Sequence, residues 1–144
     1  MNSRKKDRLG ENMESLRIGL RGHAEFTVRA EDSAKAFRSG SLDVLATPVL
    51  IAAAEETCAD LVQPLLADGM GTVGTQVSIR HLAPSPIGMK YWCDAEVTAV
   101  GDRVICFGIV LYDEKDKIGE GTHERVIINE ERFFAKSQKK LTGK

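Results

Sequence analysis

The stretch Ala46-Thr47-Pro48-Val49-Leu50-Ile51-Ala52-Ala53-Ala54-Glu55-Glu56-Thr57-Cys58 decides the fold. Thr47 is a preferred N-cap type, and Pro48 suits the first helical position, where an amide hydrogen would lack a partner anyway. Val49 to Ala54 make the opening turns apolar nearly all round, which predicts a buried helix rather than one laid on a surface. The helix is predicted from Pro48 to about Leu66, kinked or restarted at Pro64 and ended by Asp68-Gly69.

Around this helix the chain reads as strands. His23 to Arg29 alternates apolar and polar residues, the pattern of a half-buried strand. Ala30 to Ala46 is a connection, with Phe37, Leu42 and Val44 available for a short packed turn. Beyond the helix, Val73 to Leu82 is a strand that breaks at Pro84-Ser85-Pro86. Met89 to Val100 and Val104 to Tyr112 follow, joined by the turn signal Gly101-Asp102. After Asp113 to Asp116, Lys117 to Asn129 is the last strand. Strands joined mainly by hairpins pair antiparallel. The expected architecture is therefore α+β, an antiparallel sheet wrapped around one long helix. One sheet around one helix leaves an open flank, so a symmetric dimer is expected.

Length and composition suit one domain with a real core: 144 residues, 42% hydrophobic and 28% charged. Residues 1–15 read as a disordered tail, 16–136 as the domain and 137–144 as a loose basic tail. A net charge of -1 gives no general attraction to nucleic acid or to an anionic membrane, so an anionic ligand would need a local basic patch. The longest apolar stretch, Val44 to Ala54, is too short to span a bilayer. With no apolar segment after the charged N-terminus and an odd set of cysteines (Cys58, Cys93, Cys106), the expectation is a cytoplasmic protein with reduced thiols.

Three residues suggest chemistry. Thr47 supplies a hydroxyl, Glu55 a carboxylate on the apolar helix, and His81 an imidazole at a strand end; together such groups can split a reactive ester or thioester. Thr47 and Glu55 lie eight positions apart, about 80° round the helix axis and roughly 12 Å along it. They can border one cleft without touching. Each also has a plainer reading: Thr47 as a cap, His81 as a hydrogen-bonded surface residue, and Glu55 as the partner of an arginine such as Arg80 or Arg125. Of the adjacent Glu55 and Glu56, at most one should face solvent; the other needs partners or a raised pKa. His123 reads equally well as a sheet residue. No histidine pair has metal-ligand spacing, and Gly69, Gly71 and Gly74 form neither a P-loop nor a dinucleotide fingerprint.

Ala46-Thr47-x7-Glu55-x-x-Cys58, Gly74-Thr75-x5-His81 and Gly121-Thr122-His123-Glu124-Arg125 resemble the fluoroacetyl-CoA thioesterase family, hot-dog-fold acyl-CoA thioesterases, over about Ile18 to Lys136. The resemblance implies Thr47, Glu55 and His81 as catalytic residues, Gly74 lining the acyl pocket and Arg125 near the site. It implies a homodimer, or a tetramer built from it, with active sites at the subunit interface. The substrate would be an acyl-CoA, with no nucleic acid or membrane partner and no metal or redox cofactor. The fluoroacetyl-specific member carries phenylalanines just before the catalytic threonine. Here Arg38 to Val44 holds no aromatic residue and Phe37 is the nearest, so general acyl-CoA hydrolysis is expected rather than fluoroacetyl specificity. The competing readings are a non-catalytic hot-dog protein that binds an acyl-CoA or another small ligand, and a hot-dog dehydratase or hydratase.

Overall fold

The computed structural model describes residues 15–143; most of the predicted N-terminal tail lies outside the described residues. Five strands form one antiparallel sheet: β1 (Arg21–Thr27), β2 (Met70–His81), β3 (Lys90–Val100), β4 (Val104–Asp113) and β5 (Lys117–Asn129). Their order is β1-β3-β4-β5-β2. Hairpins join β3 to β4 and β4 to β5, as expected. The β2–β3 connection is a crossover: β2 pairs with β5 and forms one edge, while β1 forms the other.

Helix α1 (Thr47–Val62) packs on one face of the sheet and continues into a short 3-10 turn, Gln63–Leu65, that absorbs Pro64. Leu50, Ala53, Ala54, Cys58 and Val62 are buried along its inner side. They meet the inward residues of the central strands, among them Tyr91, Val97, Phe107, Leu111 and Ile118. On β3 the inward set Tyr91, Cys93, Ala95, Val97 alternates with the outward set Trp92, Asp94, Glu96, the period-two pattern of a one-sided sheet. The helix is less enclosed than its composition predicts. Ala52 and Glu56 are exposed and Val49 and Ile51 only half-buried, because one sheet covers only one side of a helix.

Two further readings are corrected. The connection between β1 and α1 is held by polar and backbone contacts rather than by a packed apolar turn: Phe37 is 50% and Leu42 66% exposed. Asp32 is buried and takes three hydrogen bonds from the Arg29 backbone and guanidinium at 2.9–3.0 Å. Backbone bonds from Ala34 to Val44 and from Lys35 to Leu42 close the loop on itself. The C-terminal stretch read as a loose tail is helical. Helix α2 (Glu130–Thr142) is capped by the Asn129 side chain, which accepts from the Arg132 amide at 2.9 Å, and ends at Gly143 in the left-handed conformation. Glu130 and Glu131 in its first turn and Lys139 and Lys140 in its last favour the helix dipole, which a reading by net basic charge overlooks. None of its residues is buried.

Candidate active site

Thr47 is the first residue of α1, and Ala46 occupies the cap position. The Thr47 hydroxyl therefore does not cap the helix. It lies 2.8 Å from His81 Nδ1, at the end of β2. The segment after His81 fixes this meeting. The Leu82 amide donates to the Ile118 carbonyl, and Leu45 donates to the Ser85 carbonyl. Buried Ser85 in turn donates to Asp113 at 2.7 Å, tying the entry of α1 and the exit of β2 to the β4–β5 turn. Desolvation lowers the pKa of His81, with a nearby backbone group of Ala83 acting weakly the other way. The ring is neutral near pH 7, able to accept a proton from Thr47. Its Nε2 is buried with no hydrogen-bond partner among the described residues.

The start of α1 offers one further group. Pro48 has no amide hydrogen, and the Val49 and Leu50 amides both donate to the Ala46 carbonyl. The Thr47 amide is left without a hydrogen-bond partner among the described residues. It sits beside its own hydroxyl at the positive end of the helix, where an oxyanion is favoured. Around the pair lies a shallow cavity of about 310 Å³ with small aliphatic walls from Ala34, Val44, Leu45, Leu82 and Ala83. No phenylalanine, tyrosine or tryptophan lines it.

Two turns further along α1, Glu55 faces the other part of β2. Its carboxylate is 42% exposed and 3.6 Å from the Arg125 guanidinium, which is buried. This is the arginine pairing considered from the sequence, made with Arg125 rather than Arg80. Arg125 donates to the Thr72 hydroxyl at 2.8 Å and the Thr72 carbonyl at 3.0 Å, and approaches His123 Nε2 at 3.1 Å. His123 Nδ1 faces the Gln76 carbonyl at 2.8 Å and must donate to it, which leaves Nε2 to accept from Arg125. Desolvation lowers the pKa of His123, the Gln76 carbonyl partly opposing and Arg125 reinforcing. Burial also works against the charge on Arg125, and Glu55 works for it. Glu56 is exposed and takes no part.

Gly74 completes this group. A Cβ there would lie 2.6 Å from Glu55 Oε2, 3.2 Å from His123 and 3.4 Å from Arg125. The missing side chain is the space the carboxylate fills, and β2 bulges between Gly74 and Gln76 at this point. Sequence reading left His123 open as a sheet residue and missed Thr72. His123 and Arg125 stand two apart on β5 and share its inward face, a signal present in the alternation; nothing local marks Thr72.

The structure thus joins Thr47 to His81, and Glu55 to Arg125 and Gly74, as two groups on one helix and two strands; among the described residues no hydrogen bond links the two groups. The cysteines lie outside this chemistry. Burial pushes the Cys58 thiol up to about 12 and the Cys93 thiol up to about 11, which suppresses the nucleophilic thiolate.

Comparison with known proteins bears on the fold and the family. The profile of the fluoroacetyl-CoA-specific thioesterase family matches residues 28–131. The fluoroacetyl-CoA thioesterase of Streptantibioticus cattleyicolor is 35% identical over 98 residues, covering 68% of this chain and 70% of its own. A crystal structure of a fluoroacetyl-CoA thioesterase superposes with a TM-score of 0.84 at 29% identity, over 88% of this chain and 98% of that one. A Thermus thermophilus hypothetical protein, a thioesterase superfamily member, shares the fold with a TM-score of 0.81 at 24% identity, over 92% of this chain and all of its own. The sheet wrapped on one helix is the hot-dog fold, and the chain belongs to the fluoroacetyl-CoA-specific thioesterase family.

Proposed function

We propose that this protein hydrolyses a small acyl-CoA thioester to the free acid and CoA, using Thr47, His81 and Glu55 at the interface of a homodimer. The observation that carries this reading is the 2.8 Å contact between the Thr47 hydroxyl and His81 Nδ1, on an imidazole that burial keeps neutral. With the proton on Nε2, Nδ1 accepts from Thr47 and raises the nucleophilicity of its oxygen. Attack on the thioester carbonyl forms a tetrahedral oxyanion, which the free Thr47 amide can receive. Collapse breaks the C–S bond and releases CoA thiolate, a good leaving group, and the proton held on His81 can pass to the sulfur. Glu55, held by Arg125 against Gly74, is placed to orient or deprotonate the water that completes hydrolysis. Direct attack by water, activated by the same groups, needs the same residues.

The small aliphatic cavity beside Thr47 favours a short acyl chain, and it lacks the phenylalanine gate of the fluoroacetyl-specific member. The exposed edge of the sheet supports the dimer. Gly74 to Ser78 of β2 are exposed on an unpaired strand edge, including Val77 at 38%. An unpaired edge is ready to take a second copy antiparallel. With the two-fold axis at Gln76, the middle of that stretch, residues equidistant from it face each other. His81 of one chain then falls opposite Gly71 of the other, next to Thr72 and the Glu55 group. Pairing would bring together across the axis the two groups that one chain keeps apart.

The test is thiol release from a panel of short, branched, aromatic and fluorinated acyl-CoAs. Release with the short unbranched esters supports the proposal. Saturable binding of CoA esters with no release would instead make the protein a ligand-binding module, and water loss from a hydroxyacyl-CoA without free CoA would make it a dehydratase. Three free cysteines, Cys58 and Cys93 buried and Cys106 half-buried, support a cytoplasmic location.

A further inference from the structure

Thr47 and His81 come from different elements, the start of α1 and the end of β2, 34 residues apart in the chain. One short segment, Pro84-Ser85-Pro86, is tied to the backbone beside both. The Ser85 carbonyl accepts from the Leu45 amide at 2.8 Å, two residues before Thr47, and Pro86 bridges to Val44. On the other side, Leu82, the residue after His81, donates to the Ile118 carbonyl at 2.7 Å, and a backbone group of Ala83 faces the imidazole. The two prolines have no amide hydrogen with which to hold the segment to a neighbouring strand. The side-chain hydrogen bond that anchors it among the described residues runs from the Ser85 hydroxyl to Asp113 Oδ2, at 2.7 Å.

Both partners of that bond are buried. Desolvation works against the charge on Asp113, but the Ser85 hydroxyl and the Lys115 and Asp116 amides outweigh it and hold the pKa below its ordinary value. The two amides bond Oδ1, each at 2.8 Å, and close the β4–β5 turn by themselves. Oδ2 is left for a hydroxyl 28 residues away. Apolar packing could bury this place without removing a carboxylate from water. What a short bond to an ionised acceptor adds is direction. The groups it directs are a hydroxyl and an imidazole nitrogen 2.8 Å apart. A misplacement on the order of 1 Å between such groups costs about a hundredfold in rate.

We propose that Ser85 and Asp113 are positioning residues for the thioester hydrolysis: their hydrogen bond holds the Pro84-Ser85-Pro86 segment so that the Thr47 hydroxyl meets His81 Nδ1. The inference rests on the role proposed for Thr47 and His81 and names what sets their geometry. Full-length wild type, Ser85→Ala, Ser85→Thr, Thr47→Ala and the Ser85→Ala/Thr47→Ala double variant are compared by thiol release and by the nitrogen NMR resonances of the His81 ring. The expected result is a kcat lowered about tenfold or more in Ser85→Ala with KM little changed, and recovered in Ser85→Thr, which keeps the hydroxyl. In the Thr47→Ala background Ser85→Ala should cost nothing further, because no hydroxyl remains to be placed. The His81 Nδ1 resonance of Ser85→Ala should move to its frequency in Thr47→Ala, where that nitrogen has lost its donor. A merely structural role would lower the rate by the same factor in both backgrounds and leave the Nδ1 resonance at its wild-type frequency. Should Ser85→Ala fail to fold, Ser85→Cys, close in volume and a weak donor, carries the same comparison. Equal rate loss in the two backgrounds, or wild-type kcat with a wild-type Nδ1 resonance, overturns the proposal. No thiol release by the folded wild type rejects hydrolysis, and the Nδ1 resonance then decides by itself whether Ser85 places the pair.

Discussion

Gly74 is where a single atom decides whether the Glu55 group can exist. A methyl 2.6 Å from the Glu55 carboxylate must displace it or the strand. Gly74→Ala is therefore expected to cut kcat/KM by about tenfold or more while melting temperature changes little, since the strand is an exposed edge there. Enzyme kinetics and a thermal melt on the same sample check both halves. His81 and His123 carry the pH dependence. Both have folded pKa values below the ordinary 6.5, chiefly through desolvation, so the unfolded chain binds more protons as pH falls. Their contribution to stability is complete above about pH 6.5 and is lost as pH falls from there through the lower folded values. His23, raised by Asp94 and Glu25, works in the opposite direction, but its exposed position weakens the effect. Denaturant melts across pH 5 to 8 should show stability falling on the acid side, and kcat/KM should fall with it as His81 gains a proton; stability flat to pH 5 would contradict this. At this scale the sequence marked Thr47, Glu55 and His81 by residue type and placement. It could not show that Thr47 serves His81 instead of the helix, because Ala46, which has no side-chain donor or acceptor, takes the cap position. Nor could it distinguish Arg125 from Arg80, a choice made by which face of which strand lies over α1.

Among the elements, β2 does most to position the site, running from Met70 through Gly74 to His81. Its pairing with β5 depends on a close backbone approach at Gly121, where a side chain would run into the Ser78 carbonyl and the Ile79 backbone. Gly121→Ala is predicted to destabilise the protein by roughly 2 kcal/mol or more, and to lower activity through β2. Urea unfolding measures the loss; a midpoint equal to wild type would show that the strands can part there without cost. The period-two strands and the apolar helix were readable because burial on one face writes itself into alternation. Helix α2 was not, because it buries nothing and its evidence is confined to the Asn129 cap, end charges and Gly143. The β2 crossover was also hidden: a Pro-rich turn after a strand resembles a hairpin signal, and only the partner strand tells the two apart.

For the whole molecule, the exposed edge of β2 and the division of the site into two groups point to the same assembly. Val77 stands on that edge at 38% exposure and would be covered in an edge-to-edge dimer. Val77→Asp should shift the protein toward monomer in sedimentation velocity and reduce turnover in step with the dimer lost. A monomer with full activity would show that one chain holds a complete site. An open flank and a dimer were expected from the sequence, because one sheet cannot enclose a helix; which strands form the edges becomes visible only in the strand order. The most direct measurement of the central claim is CoA thiol release by the wild type beside Thr47→Ala and Glu55→Gln, all three checked for folding. The account predicts release by the wild type and a fall of about a hundredfold or more in each variant. Wild-type rates in both variants, or no release by a folded wild type that still binds CoA esters, would contradict it.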